Sequence, residues 1–271
     1  MVDNKQKEGF EWQVGVWDMA AEFYETEIDP RFGQITKNVI ALADLKAGEI
    51  ALDLGTGTGM IAFMAAEQVG PKGRVTAVDI SREMLVKGRA GAEARSLTNI
   101  EFKEGRAEAV PVPDGSQDVV MASLSLMYVI DRNMAAKEIA RILRPGGKFI
   151  AAVWSGPEKA DIVQFQQIAG SFASTPPVDG VGPGSMADPS LFLSQLTNSG
   201  IVARVEIETI KFDFVDLESA WRALAYVTAA GIDEETQEEA KSAILKRMWG
   251  DEDGFRVFRN ETQFIVCTKS K

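Results

Sequence analysis

The 271-residue sequence predicts an α/β fold, doubly wound around a mostly parallel sheet. Three observations carry that expectation. The apolar run Ile50-Ala51-Leu52-Asp53-Leu54 ends in a glycine-alternating turn, Gly55-Thr56-Gly57-Thr58-Gly59, and a helical apolar pattern follows from Met60 to Val69. A second apolar run, Arg74 to Asp79, ends in an acid about 20 residues beyond the turn, the distance of a nucleotide-binding β-α-β unit. Further strand-length runs then alternate with helical patterns as far as Trp154.

Taken in order, Phe10, Trp12, Val14, Trp17, Ala20, Ala21, Phe23 and Tyr24 form a rough helical stripe whose main role is core packing. Asp29-Pro30 breaks this helix, and a second one covers residues 32–45. Lys46-Ala47-Gly48-Glu49 turns into the first strand. The glycines after that strand permit unusual backbone angles and a close ligand approach, and the next helix starts with free N–H groups. Gly70-Pro71-Lys72-Gly73 is a turn into the second strand, and Ser81 caps a helix over residues 82–96. A third strand covers 99–104 and a fourth 118–126. Asn133 caps a helix running to Leu143, Arg144-Pro145-Gly146-Gly147 forms a turn, and a fifth strand covers 149–154.

Beyond it the regular alternation pauses. Residues 155–187, with Pro176, Pro177 and Pro183, read as a helix near 159–172 followed by an irregular loop over the cleft. A helix at 189–199, a long strand at 201–214, a helical stretch at 216–250 and a final strand at 255–268 complete the chain. Phe212, Phe214, Trp221, Tyr226 and Trp249 divide between core and pocket, mostly core.

Composition excludes several function classes. There is no histidine, so histidine triads and histidine-ligated zinc are out, and no metal site is expected. The single Cys267 leaves no disulfide framework and no thiolate cluster. A formal charge of −11 argues against nucleic acid as partner. No apolar run reaches spanning length and the N-terminus has no signal-peptide pattern, so a cytoplasmic monomer or homodimer without membrane insertion is expected.

The glycine spacing departs from the dinucleotide fingerprint, since Met60 occupies its third glycine position and Gly59 comes one residue early. With Asp53 two residues ahead of the first glycine, the turn resembles motif I of the class I S-adenosylmethionine-dependent methyltransferases. The passage from Gly105 to Asp118 (Gly-Arg-Ala-Glu-Ala-Val-Pro-Val-Pro-Asp-Gly-Ser-Gln-Asp) resembles the menaquinone/ubiquinone-biosynthesis-like branch, also known as methyltransferase type 11, and so does Leu143-Arg144-Pro145-Gly146-Gly147-Lys148-Phe149.

The resemblance covers residues 48–155 well and the remainder in outline. It implies a seven-stranded sheet with an antiparallel last strand, an N-terminal helical cap (1–47) and a catalytic domain (48–271), with the 155–187 loop and the 216–250 insertion over the substrate side. It also implies S-adenosylmethionine as cofactor, held by Asp53, Gly55, Thr56, Gly57, Gly59, Asp79, Ile80, Met84, Arg106, Ala107, Glu108, Ser123 and Tyr24. Asp79 would accept from the ribose diol and Ile80 would lie against the adenine. Arg106 stands where the branch has an adenine-binding acid. A guanidinium accepts no hydrogen bond, so its open roles are stacking on the adenine or pointing to solvent.

The implied reaction is methyl transfer to a small-molecule acceptor by positioning and desolvation, without a histidine base. Weak candidates for a catalytic group are Tyr24, Tyr128 and Asp131, with Glu108 or a residue of the 155–187 loop as further possibilities for a base. Two other readings stay open: a protein of this fold that only binds the cofactor or uses it for other chemistry, and, at greater distance, an NAD(P)-dependent oxidoreductase.

Overall fold

Strands that carry almost no polar residue need cover on both faces, and here helices supply it. The computed structural model describes residues 4–173, 180–225, 228, 232–250 and 252–271. Helix α1 (Asn4–Phe23) passes through one π-helical turn (Tyr24–Ile28) into α2 (Asp29–Ala43). There follow β1 (Ile50–Leu54), α3 (Met60–Val69), β2 (Arg74–Asp79), α4 (Arg82–Ala94), β3 (Ile100–Glu104), β4 (Gln117–Ser123), α5 (Arg132–Ile142) and β5 (Leu143–Trp154). The chain continues through α6 (Asp161–Gly170), α7 (Ser190–Asn198), β6 (Ile201–Phe214), α8 (Leu217–Leu224), α9 (Glu234–Ile244) and β7 (Arg256–Lys269).

The seven strands lie in the order β3-β2-β1-β4-β5-β7-β6. The first five pair in parallel, and β7 runs antiparallel between β5 and β6. The order reverses between β1 and β4: the chain runs outward from β1 through β2 to β3, then crosses back to β4 on the other side of β1. A ligand crevice opens outside the carboxyl ends at such a point. Ile35, Val39, Ile40 and Ala43 of α2 belong to the main core, whereas Ala20 and Ala21 of α1 form a separate small cluster with Met84 of α4. No helix among the described residues is long and apolar enough to cross a membrane.

Several boundaries differ from the sequence expectation, each for a local reason. Pro30 does not separate two helices, because at the first turn of α2 its missing N–H has no intrahelical partner to lose; the π-helical turn (Tyr24–Ile28) joins α1 to α2 directly. Strand β4 stops at Ser123 because Leu124 takes a left-handed φ of 54° and a single 3₁₀ turn (Leu126–Tyr128) follows. Asp131, not Asn133, caps α5, its carboxylate accepting from Met134 N at 2.9 Å. Residues 144–147 are drawn into β5, with a register shift between Gln117 and Val119 that absorbs Gly146 at φ 79°. The helix expected near 159–172 spans Asp161–Gly170, and the 216–250 stretch divides into α8, α9 and a π-helical turn (Leu245–Trp249). Tyr226, Pro176 and Pro177 lie outside the described residues.

The inserted helices are joined to the sheet by aromatic packing. Phe258 of β7 is fully buried, with ring centroids of Phe165, Phe214 and Trp249 at 6.0, 4.9 and 5.5 Å. Phe258→Ala removes the centre of this cluster and is expected to cost about 3–5 kcal/mol, read as a lower urea midpoint at unchanged slope.

Candidate active site

The floor of the crevice is the turn after β1. Gly55, Gly57 and Gly59 take φ of 72°, 54° and 102°, which other residues rarely adopt. A Cβ on Gly55 would overlap Ser125, and one on Gly59 would come within 2.7 Å of the Phe63 ring. At Gly57 the space above the backbone is open as far as the Tyr24 ring, 3.9 Å from where a Cβ would stand. The N–H groups of Gly55 and Thr56 donate to Val78 O at 2.8 and 3.0 Å, which stitches the turn to β2. Asp79 then ties the two strand ends together, its carboxylate accepting from Gly57 N at 2.8 Å and from Ser81 N at 2.9 Å.

Three acids around this turn are held above the usual carboxylate range. Burial pushes Asp53 up to about 7 against the opposing hydrogen bond from the Thr56 hydroxyl at 2.6 Å, and the neighbouring Asp79 charge adds to the rise. Burial raises Asp79 as well, against the N–H groups of Ser81 and Gly57. Asp29 is lifted to about 6, again by burial, while Thr58 donates its hydroxyl to it.

The main cleft encloses about 820 Å³ including its open mouth. Of the residues singled out from sequence, Tyr24, Gly55, Gly57, Asp79, Ile80, Met84, Arg106, Ala107, Glu108 and Ser123 line it. Asp53, Thr56 and Gly59 are not on its wall. Asp53 and Thr56 bond each other beneath the turn, and Gly59 heads α3. Arg106 is half exposed on the cleft wall, with its guanidinium over the Phe10 ring at 4.6 Å and paired with Glu108 at 3.3 Å.

Phe10, Gln13 and Trp17 of α1 also line the cleft. Their spacing places them on one helical face with the direction of Tyr24, a stripe visible in the sequence but indistinguishable there from core packing. Asp18 anchors this helix, accepting from the Ser81 hydroxyl at 2.6 Å while Ser81 caps α4 through Met84 N at 3.1 Å.

Among the catalytic candidates, Tyr24 and Tyr128 face the cleft, with the Trp17 ring edge-on to each at 6.2 and 4.9 Å. Burial raises both phenols, and the charges of Asp29 and Asp79 push Tyr24 further in the same direction. Both are therefore protonated hydrogen-bonding groups at neutral pH. Asp131 is absent from the wall and is occupied as the cap of α5. Glu108 is engaged by Arg106 and by Asp131 N at 3.2 Å.

Behind the shared wall of Trp17, Tyr24, Leu124 and Tyr128 lies a second cavity of about 510 Å³. Phe23, Ile28, Phe32, Met127, Trp154, Ile162, Gln166, Ala223 and Leu224 complete it. Among the described residues that line it there is no Asp, Glu, Lys or Arg.

Residues 45–172 match a family model described as a methyltransferase domain. The chain is 32% identical over 185 residues to a ubiquinone/menaquinone biosynthesis C-methyltransferase of Bradyrhizobium diazoefficiens, covering 63% of this chain and 72% of that protein. It is 36% identical over 121 residues to a demethylmenaquinone methyltransferase of Listeria welshimeri, covering 45% of this chain and about half (51%) of the relative's length. Among solved structures, the YcgJ protein of Bacillus subtilis superposes with a TM-score of 0.64 at 17% identity, covering 89% of this chain and 98% of the other, a likeness of fold.

Two predictions follow from the acids of the turn. Asp79→Ala removes a charged acceptor from the cleft and is expected to weaken S-adenosylhomocysteine binding about 10–100-fold in calorimetry. Asp29 has a folded pKa above its unfolded value, so the stability it carries is full below about pH 4 and lost as pH rises through about 6. Asp29→Asn keeps an oxygen for the Thr58 hydroxyl. It is expected to melt above the wild type at about pH 8 and to converge with it toward about pH 4.5 in thermal scans.

Proposed function

The chain belongs to the class I S-adenosylmethionine-dependent methyltransferases, on their UbiE-like branch, and from that premise we propose that it methylates an uncharged, largely apolar small molecule held in the second cavity. The observation that carries this reading is the shared wall. Trp17, Tyr24, Leu124 and Tyr128 line both cavities, and this adjacency supports the cofactor in the first and the acceptor in the second. The relatives named for ubiquinone, menaquinone and demethylmenaquinone support a reduced, quinone-related ring as the acceptor.

The residues fit S-adenosylmethionine. Asp79 offers carboxylate lone pairs at the cleft, and Gly57 leaves a bare backbone where a side chain would project toward Tyr24. Once bound, the sulfonium supplies a methyl group already activated for displacement. The protein's share is positioning and exclusion of water, which can contribute roughly 7–11 kcal/mol to lowering a barrier. There is no histidine in the chain, both tyrosines are held protonated and Asp131 is committed to a helix cap, so no strong base stands among the described residues that line the second cavity. The proposed acceptor brings its own nucleophilicity, as an electron-rich ring carbon does, and its displaced proton leaves to solvent. Tyr24 and Tyr128 act as hydrogen-bonding groups that orient the two reactants.

The test is incubation with S-adenosylmethionine and either 1,4-naphthohydroquinone, kept reduced, or phosphoethanolamine. A product heavier by one methylene, with S-adenosylhomocysteine in equal amount, is expected from the hydroquinone alone by mass spectrometry. Methylation of the charged amine in preference to the ring would overturn the assignment.

A further inference from the structure

The sheet ends in an open edge. Among the described residues β6 pairs with β7 alone, in an unbroken register from Ile201 opposite Lys269 to Phe214 opposite Arg256. Which residues of β6 face outward follows from β7. Glu261, opposite Thr209, donates its N–H to Lys159 O and accepts from Ser155 N with its C=O, both on the β5 side. In an antiparallel pair, opposite residues turn their backbone groups both toward or both away from each other, and successive residues alternate. Ala203, Val205, Ile207 and Thr209 therefore aim N–H and C=O off the sheet. No hydrogen bond among the described residues occupies these groups.

Sheet edges are commonly blunted by a proline, a bulge or short length. Strand β6 runs for 14 residues with neither a proline nor a break in register. Its side chains are instead self-complementary. Arg204 and Glu206 share one face and are exposed; Ala203, Val205 and Ile207 share the other, and Ile207 is 60% exposed. A second copy laid antiparallel, with a two-fold axis through Val205, sets Val205 opposite itself and Ala203 opposite Ile207. Arg204 of each copy then stands opposite Glu206 of the other. The outward N–H and C=O groups meet as hydrogen-bonded pairs from Ile201 to Thr209. An axis at Arg204, Glu206 or Glu208 sets a charge opposite itself, one at Ile207 sets Glu206 opposite Glu208, and one at Ala203 pairs no charges. Opposite charges across a strand pair stabilise it and like charges oppose it, so the axis at Val205 is the favoured one.

We propose that two copies of this chain join antiparallel through β6 about an axis at Val205, which continues the sheet from one copy into the next. No residue of β6 lines either cavity, so the association is independent of the acceptor assignment.

Sedimentation velocity is expected to show a monomer–dimer equilibrium with a Kd of about 10 μM or tighter. Arg204→Glu and Glu206→Arg each place like charges opposite one another and are expected to weaken the dimer about ten-fold or more. The double reversal restores opposite charges and is expected to return the Kd to within about three-fold of the wild type. Val205→Pro removes an N–H that has no partner within the chain and is expected to give a monomer that still binds S-adenosylhomocysteine. A wild type still monomeric at about 200 μM overturns the proposal. So does a dimer that both single reversals leave intact, or a double reversal as weak as the single ones. If the proline variant does not fold, the charge variants, whose side chains are exposed, decide the outcome by themselves.

Discussion

Asp79 stands at the end of β2 and joins two segments that the chain reaches separately. One carboxylate oxygen receives Gly57 N–H from the turn after β1, and the other receives Ser81 N–H at the head of α4. Ser81 in turn donates its hydroxyl to Asp18 of α1. The glycine turn, the start of α4 and the N-terminal helix are therefore positioned through one buried acid. That acid is kept above its ordinary pKa by the burial that lets it serve the cleft. Asp53 lies one strand away under the same constraint, and its charge and that of Asp79 oppose each other. A ligand that donated hydrogen bonds to Asp79 would relieve part of this cost.

The first helix has a different standing from the rest of the core. Its buried alanines pack only with Met84 and partly buried neighbours, while α2 is part of the main apolar cluster. Its aromatic face meets the cleft, with Phe10 under Arg106 and Trp17 between the two tyrosines. Arg106 cannot accept from a ligand, but it can hold a helix by its aromatic face and pair with Glu108 at once. Where the resembling branch has an acid, this chain thus has a residue that joins α1 to the wall of the cleft.

Chemistry follows from what the two cavities lack. The chain has no histidine, no carboxylate stands among the described residues that line the second cavity, and burial keeps both phenols protonated. A site of this kind works by alignment and dryness, which suits a donor that is already activated. The residues that line the second cavity are aromatic or aliphatic apart from Gln166 and come from distant elements, among them α1, the π-helical turn, α2, the end of β5, α6 and α8.

Local order along the chain made the first half of the fold legible. The turn from Asp53 to Gly59, the acid at Asp79, the cap at Ser81 and the strand and helix boundaries from 50 to 104 depend on backbone angles and near neighbours, which residue type controls directly. Where two elements compete for one residue, the sequence was silent: Asp131 took the cap expected of Asn133, and residues 144–147 joined β5 because β4 was there to pair with them. The same divide runs through the site. Composition alone determined that no histidine chemistry is available, and spacing alone marked the glycine turn that the structure places at the cleft. Only the tertiary structure decided that Asp53 and Thr56 stand behind the cleft wall, that the α1 stripe lines the cleft, and that Gln166 and Leu224, 58 residues apart, meet at an uncharged second cavity. The reason is physical. A buried aromatic or amide looks the same in sequence whether its neighbours fill the space beside it or leave it open, and those neighbours come from elsewhere in the chain.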